Sequence, residues 1–168
     1  GVTNRAVLAD DAPFDQKTLP YGTTWWCDTG ESGSCYRTLA SCKRNLNVDD
    51  DACEKQDSAF ATVILAPKLT KIATPFALPM RSDEKCSEIR AAMLAAGAEV
   101  TSACAKVGAK PPPPRPALPK AKQYWCFGAE TVTTPSVCGT TRQRCEAAAT
   151  FIRPFVEISF ECEARTRV

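Results

Sequence analysis

Tyr124-Trp125-Cys126, Val137-Cys138, Thr141-Arg142-Gln143-Arg144-Cys145 and Ile158-Ser159-Phe160-Glu161-Cys162 form the stretch that decides the fold. An aromatic pair leads into a first cysteine, and a second cysteine follows after a polar loop. A threonine stands four positions before a third cysteine, and a fourth lies in an alternating run. The order reads as strand, loop, strand, helix, strand. Working outward, the same pattern recurs at the start of the chain, with Trp26-Cys27, Cys35, Cys42 and Cys53. In both segments the second and third cysteines are seven positions apart. A middle segment carries only Cys86 and Cys104. There Phe60-Ala61 stands where the aromatic-Cys pairs stand, and Ala77 to Pro79 where the second cysteine would be.

A hydroxyl residue lies four positions before each third cysteine: Thr38, Ser82 and Thr141. That is the place of a helix N-cap, whose side-chain oxygen accepts from a free N–H of the first turn. Three matching caps argue for an internal repeat. The middle copy lacks the first and second cysteines together and keeps the third and fourth together. A bridge lost as a pair strands no thiol. The expected pairs are therefore Cys27–Cys35, Cys42–Cys53, Cys86–Cys104, Cys126–Cys138 and Cys145–Cys162.

The chain has 168 residues and a formal net charge of +2, so no electrostatic argument points to nucleic acid. No apolar run reaches the roughly 18 residues of a membrane span. Ten cysteines call for an oxidising compartment. Since the chain begins at Gly1, the expectation is a secreted, periplasmic or cell-surface form whose leader has been removed. Units this small need staples, because a core of fewer than about 40 residues is insufficient alone.

Taken in order, residues 1–20 read as an extended N-terminal arm and 21–56 as the first unit. In the first unit Thr23 to Cys27 is a strand, Asp28 to Ser34 a turn, and a helix follows Thr38. The second unit spans 57–108. Its strand Phe60 to Leu65 is followed by a return broken by Pro67, Pro75 and Pro79. A helix then carries Cys86, Ile89, Met93 and Leu94 on one face and ends at Gly97. Residues 109–122, with Pro111 to Pro114 and Pro116, read as a stiff polyproline II linker. The third unit spans 123–168. Its helix face is Cys145, Ala148, Ala149 and Ile152, with Pro154 as the stop. In the run Phe155 to Cys162, alternation puts Val156, Ile158, Phe160 and Cys162 on one side. By the same rule Trp26, Phe60 and Trp125 face the core, and Trp25 and Tyr124 the opposite side. Trp25, Tyr36 and Tyr124 are the candidate contact residues, for a protein partner or a sugar; for Trp25 and Tyr124 the competing reading is packing against a neighbouring unit.

Catalysis finds little footing. There is no histidine, which removes Ser-His-Asp and Cys-His chemistry and histidine-bearing zinc sites. No Cys-x-x-Cys pair favours zinc or redox chemistry, and no glycine-rich phosphate loop is present. Asp28-Thr29-Gly30 matches the short motif of aspartic proteases, but the chemistry needs two carboxylates sharing a proton. A single copy between two cysteines reads as a turn. Asn47, Asp49, Asp50 and Asp51 lack the spacing and glycine of a calcium loop. No cofactor, metal site or enzyme activity is expected.

The pattern aromatic-Cys, Cys, cap-x-x-x-Cys, Cys resembles that of uncharacterised Cys-rich tandem-repeat proteins of bacterial envelopes and secretions. The expectation is an α+β protein of three disulfide-stapled ββαβ-like repeats, the middle one lacking one bridge. The first two should pack closely, with the third beyond the linker. The expected role is a non-catalytic binding or structural module, an accessory subunit of a larger extracellular assembly. The alternatives are a proteinase inhibitor presenting Asp28–Ser34 or Phe127–Val137, and a carbohydrate-binding module using Trp25 and Tyr124.

Overall fold

The computed structural model describes residues 20–46, 52–65, 76–98, 100–111, 121–129 and 136–166. The N-terminal arm, Asn47 to Asp51, most of the proline-rich return and most of the linker lie outside them. The first sheet has β1 (Trp25–Asp28), β2 (Cys35–Tyr36) and β3 (Cys53–Gln56), with α1 (Leu39–Leu46) between the last two strands. The second has β4 (Phe60–Leu65), β5 (Phe76–Met80) and a closing strand interrupted into β6 (Val100–Thr101) and β7 (Ala105–Lys106), with α2 (Asp83–Ala95) before it. The third has β8 (Tyr124–Ala129), β9 (Val137–Gly139), α3 (Arg142–Ile152) and β10 (Ile158–Arg165). All strand pairings within the three sheets are antiparallel. In each sheet the first strand is central, and the helix connects its two flanking strands. A sheet with its helix is called a block below. The fold is α+β and rich in disulfides.

Each helix starts where a hydroxyl accepts from the first turn. Thr38 Oγ1 accepts from Ser41 N at 3.1 Å, Ser82 Oγ from Lys85 N at 3.1 Å and Thr141 Oγ1 from Arg144 N at 3.2 Å. Gly97, at φ 103°, ends α2 in a left-handed turn. Its N–H reaches Leu94 O at 3.1 Å and that of Ala98 reaches Met93 O at 2.9 Å, the paired bonds of a Schellman cap.

All ten cysteines are bridged: Cys27–Cys35, Cys42–Cys53, Cys86–Cys104, Cys126–Cys138 and Cys145–Cys162. The first and fourth of these are cross-strand bridges between residues directly opposite in register. The other three tie each helix to its closing strand. Because successive strand residues alternate sides, the two kinds of bridge lie on opposite faces. One face of each sheet carries the helix; the other is its back.

The first two blocks join through their backs. β2 and β5 meet at a Ser34–Met80 bridge, and Arg81 N donates to Gly33 O at 2.8 Å. At the other end Tyr21 pairs with Gly108, whose carbonyl accepts from Gly22 N at 2.9 Å. The hydrogen-bonded path from β1 through β2, β5, β4 and β7 thus returns to the residues before β1. Its interior is filled by back-face side chains: Trp25, Cys27, Cys35, Ala59, Ala61, Ala77 and Val107. A second cluster lies on the helix faces and runs from the second block into the third. It contains Leu78, Met80, Cys86, Met93 and Ala98 with Phe127, Val137, Cys145, Ala148, Ala149 and Ile152. The third block, expected beyond a stiff spacer, therefore shares a core with the second. Met93, Phe127 and Ile152 are fully buried members of this shared cluster.

Two expectations about faces are corrected. Trp26, expected in the core, is only half-buried, and Trp25 is fully buried at 0% exposure. The back of β1 is closed by the second block, whereas the short α1 covers its helix face less completely. In β10 the pairing slips between Ile158 and Phe160 and again between Phe160 and Glu163. These bulges turn Phe160 to the back face, opposite Gly128, while Ile158 stays opposite Ala129.

Candidate functional site

The Asp28–Ser34 turn closes the first hairpin. Asp28 folds back on it: its carboxylate accepts from Gly30 N at 2.9 Å and from the Ser32 hydroxyl. Asp28 is thus a buried turn-former, in keeping with the turn reading of Asp28-Thr29-Gly30. The second block grips the same turn. Arg81 Nη1 donates to the carbonyls of Asp28 at 3.1 Å and Gly30 at 2.9 Å, and Lys85 Nζ to that of Glu31 at 2.8 Å. Gly33 sits at φ 63°, and a Cβ there would come within 2.8 Å of Lys85 Cγ.

Beside this clamp the three blocks surround one groove of about 570 Å³. The first block lends Ser34, Tyr36, Arg37, Ser41 and Asn45. The second supplies an apolar wall of Leu78, Pro79, Met80 and Ile89. The turn after α3 closes it with Arg153, Pro154, Phe155, Val156 and Glu157. Pro154 follows the C-cap Arg153, and the chain turns there before β10 begins, so residues 153–157 line the groove with Ile89. Phe155 N and Val156 N still bond to Ile152 O at 2.8 and 3.2 Å, which fixes that turn.

Charge at the rim is held in place. Arg153 makes a two-pronged ion pair with Glu161, both bonds 2.8 Å. Its hydrogen bonds hold the Glu161 carboxyl below the usual carboxylate range and raise the Arg153 guanidinium. Arg37 stacks over the rings of Tyr21 and Trp25, at 4.7 and 5.7 Å from their centroids. Tyr21, 37% exposed, is the one large apolar side chain left open among the described residues.

The three candidate contact residues are thus scattered. Tyr36 lines the groove. Trp25 is sealed inside the ring formed by the first two blocks, its Nε1 donating to Gly22 O at 3.3 Å, and has no surface for a sugar. Packing against the neighbouring block is its role. Tyr124 is half-buried on the third block, where its hydroxyl accepts from Ala121 N at 3.1 Å. Sequence reasoning missed Arg37, Ile89 in this role, and the 153–157 turn, because a groove between blocks depends on how they dock. Pro154 straight after a helix was its one local signal. Of the two loops proposed for an inhibitor, Asp28–Ser34 has the carbonyls of Asp28, Gly30 and Glu31 already engaged. The middle of Phe127–Val137 lies outside the described residues. Among the described residues no helix is long and apolar enough to cross a membrane. Compared with family models, with curated proteins and with solved structures, the chain matches none of them.

Proposed function

We propose that this chain is a non-catalytic binding or structural module of an oxidising, extracytoplasmic space, built from three copies of one ββαβ unit. We further propose that it docks on a larger assembly through the groove that contains Tyr36. The repeat reading draws support from register. Cys27 lies opposite Cys35 and Glu54, Ala61 opposite Pro79 and Ala105, and Cys126 opposite Cys138 and Glu163. In each case the third member directly follows the fourth cysteine. Ala61 and Pro79 thus stand where the other two blocks have a cross-strand bridge.

The single observation that carries the binding reading is the groove itself. It has an apolar wall, a polar rim and fixed guanidinium groups, the composition of a protein-recognition surface. A protein purified from its native source should elute with a partner at constant stoichiometry, above its own 18.1 kDa. The Tyr36→Ala variant, folded by circular dichroism, should elute alone. Wild-type protein travelling alone at its monomer mass would sink this reading.

A further inference from the structure

The missing bridge of the second block has a structural counterpart in the first. Among the side chains described there, the ring shared by these blocks encloses one large one, Trp25, with Ala59, Ala61, Ala77, Val107 and the Cys27–Cys35 cystine. Trp25, Ala59, Ala61 and Ala77 are each 0% exposed and belong to one closely packed cluster. A bridge between positions 61 and 79 would replace the Ala61 methyl and the buried Pro79 ring by a cystine, which spans the two strands on this same back face. Overfilling a closed core forces side chains off their rotamers or moves the backbone. The indole and the second bridge therefore compete for one space.

We propose that the second block's back face is a recognition surface for a sister block. It accepts an indole ahead of the partner's first cysteine, and the absent cystine is what makes the seat. It rests on the repeat reading, since only that reading makes positions 61 and 79 the site of a lost bridge. The partner it fits is a bridged block of the first type. Blocks one and two are then an obligate pair, each incomplete without the other. The third block closes its own back differently. Phe160 lies over Gly128, where a Cβ would meet the ring at 2.5 Å, and Arg165 stacks on Phe160 at 4.6 Å.

The test is a coupling measurement on the full chain. Ala61→Cys with Pro79→Cys is made in wild-type and Trp25→Leu backgrounds and refolded with oxidised glutathione as electron acceptor. Bridge formation is read by mass and peptide mapping, stability by Tm. Ala61→Leu is made in both backgrounds as a bulk probe without sulfur chemistry. Should Trp25→Leu fail to fold, Trp25→Phe removes less volume and carries the same comparison. The expected result is strong non-additivity: the new bridge and Ala61→Leu each lower Tm with Trp25 present, and lower it much less, or raise it, without the indole. A bridge that forms in both backgrounds and raises Tm equally would overturn the seat while leaving the repeat reading standing. A bridge that forms in neither would overturn the positional equivalence, and the seat with it.

Discussion

Trp25 and Trp26 are neighbours with opposite fates, and residue-level chemistry alone does not separate them. Both suit a strand, and alternation puts them on opposite faces. Which face is sealed depends on a second block arriving at the back of β1. Trp25→Ala should therefore cost about 3–5 kcal/mol in denaturant unfolding, with Trp26→Ala well below it. Equal losses would contradict the assignment of the ring interior. Gly128 gives a second residue-scale check. A Cβ there would lie 2.1 Å from Ser159 Oγ and 2.5 Å from the Phe160 ring. Gly128→Ala should destabilise by about 1–3 kcal/mol, as overpacking does. The glycine was visible in the sequence; the aromatic ring above it was not, because two bulges in β10 break the alternation that predicts facing. Local turn chemistry, by contrast, was legible at Asp28, Gly97 and the three caps, where each residue satisfies its own neighbours.

At the level of elements, the helices owe their starts to the caps and their positions to the bridges. Thr141→Ala and Ser82→Ala should each cost about 1 kcal/mol, by loss of one accepted N–H bond. Removing Cys86–Cys104 as a Cys→Ala pair should cost about 2–5 kcal/mol. Both are read from denaturant midpoints at unchanged slope. A cap loss as large as a bridge loss would mean the caps serve something beyond the first turn. The turn after α3 is pinned to β10 by Arg153 and Glu161. The Glu161 carboxyl is held below its ordinary range, so its contribution is complete above the unfolded carboxylate's pKa and fades as pH falls through the lowered folded value. Both groups are open to solvent, so the effect is small. Glu161→Gln should flatten the acid limb of the stability profile; an unchanged limb would show the pair to be without consequence. Helix and strand order was readable because each segment carries its own period. The groove was not, since its walls come from three elements distant in sequence.

Over the whole molecule, two cores do different work. The back-face core closes the first two blocks into a ring, and the helix-face core carries the second block into the third. Short connections made the first contact predictable. The third block was expected beyond a proline-rich spacer, and an apolar cluster runs from the second block into it. Sulfur chemistry holds each block to its own strands, and no bridge passes between blocks. That local pairing is the basis of both the scaffold and the proposed copying of one unit. A peptide map of the unreduced protein tests it most directly. The predicted map links Cys27 to Cys35, Cys42 to Cys53, Cys86 to Cys104, Cys126 to Cys138 and Cys145 to Cys162, with no free thiol. A peptide joining Cys35 to Cys42, a bridge between blocks, or an unpaired cysteine would contradict it.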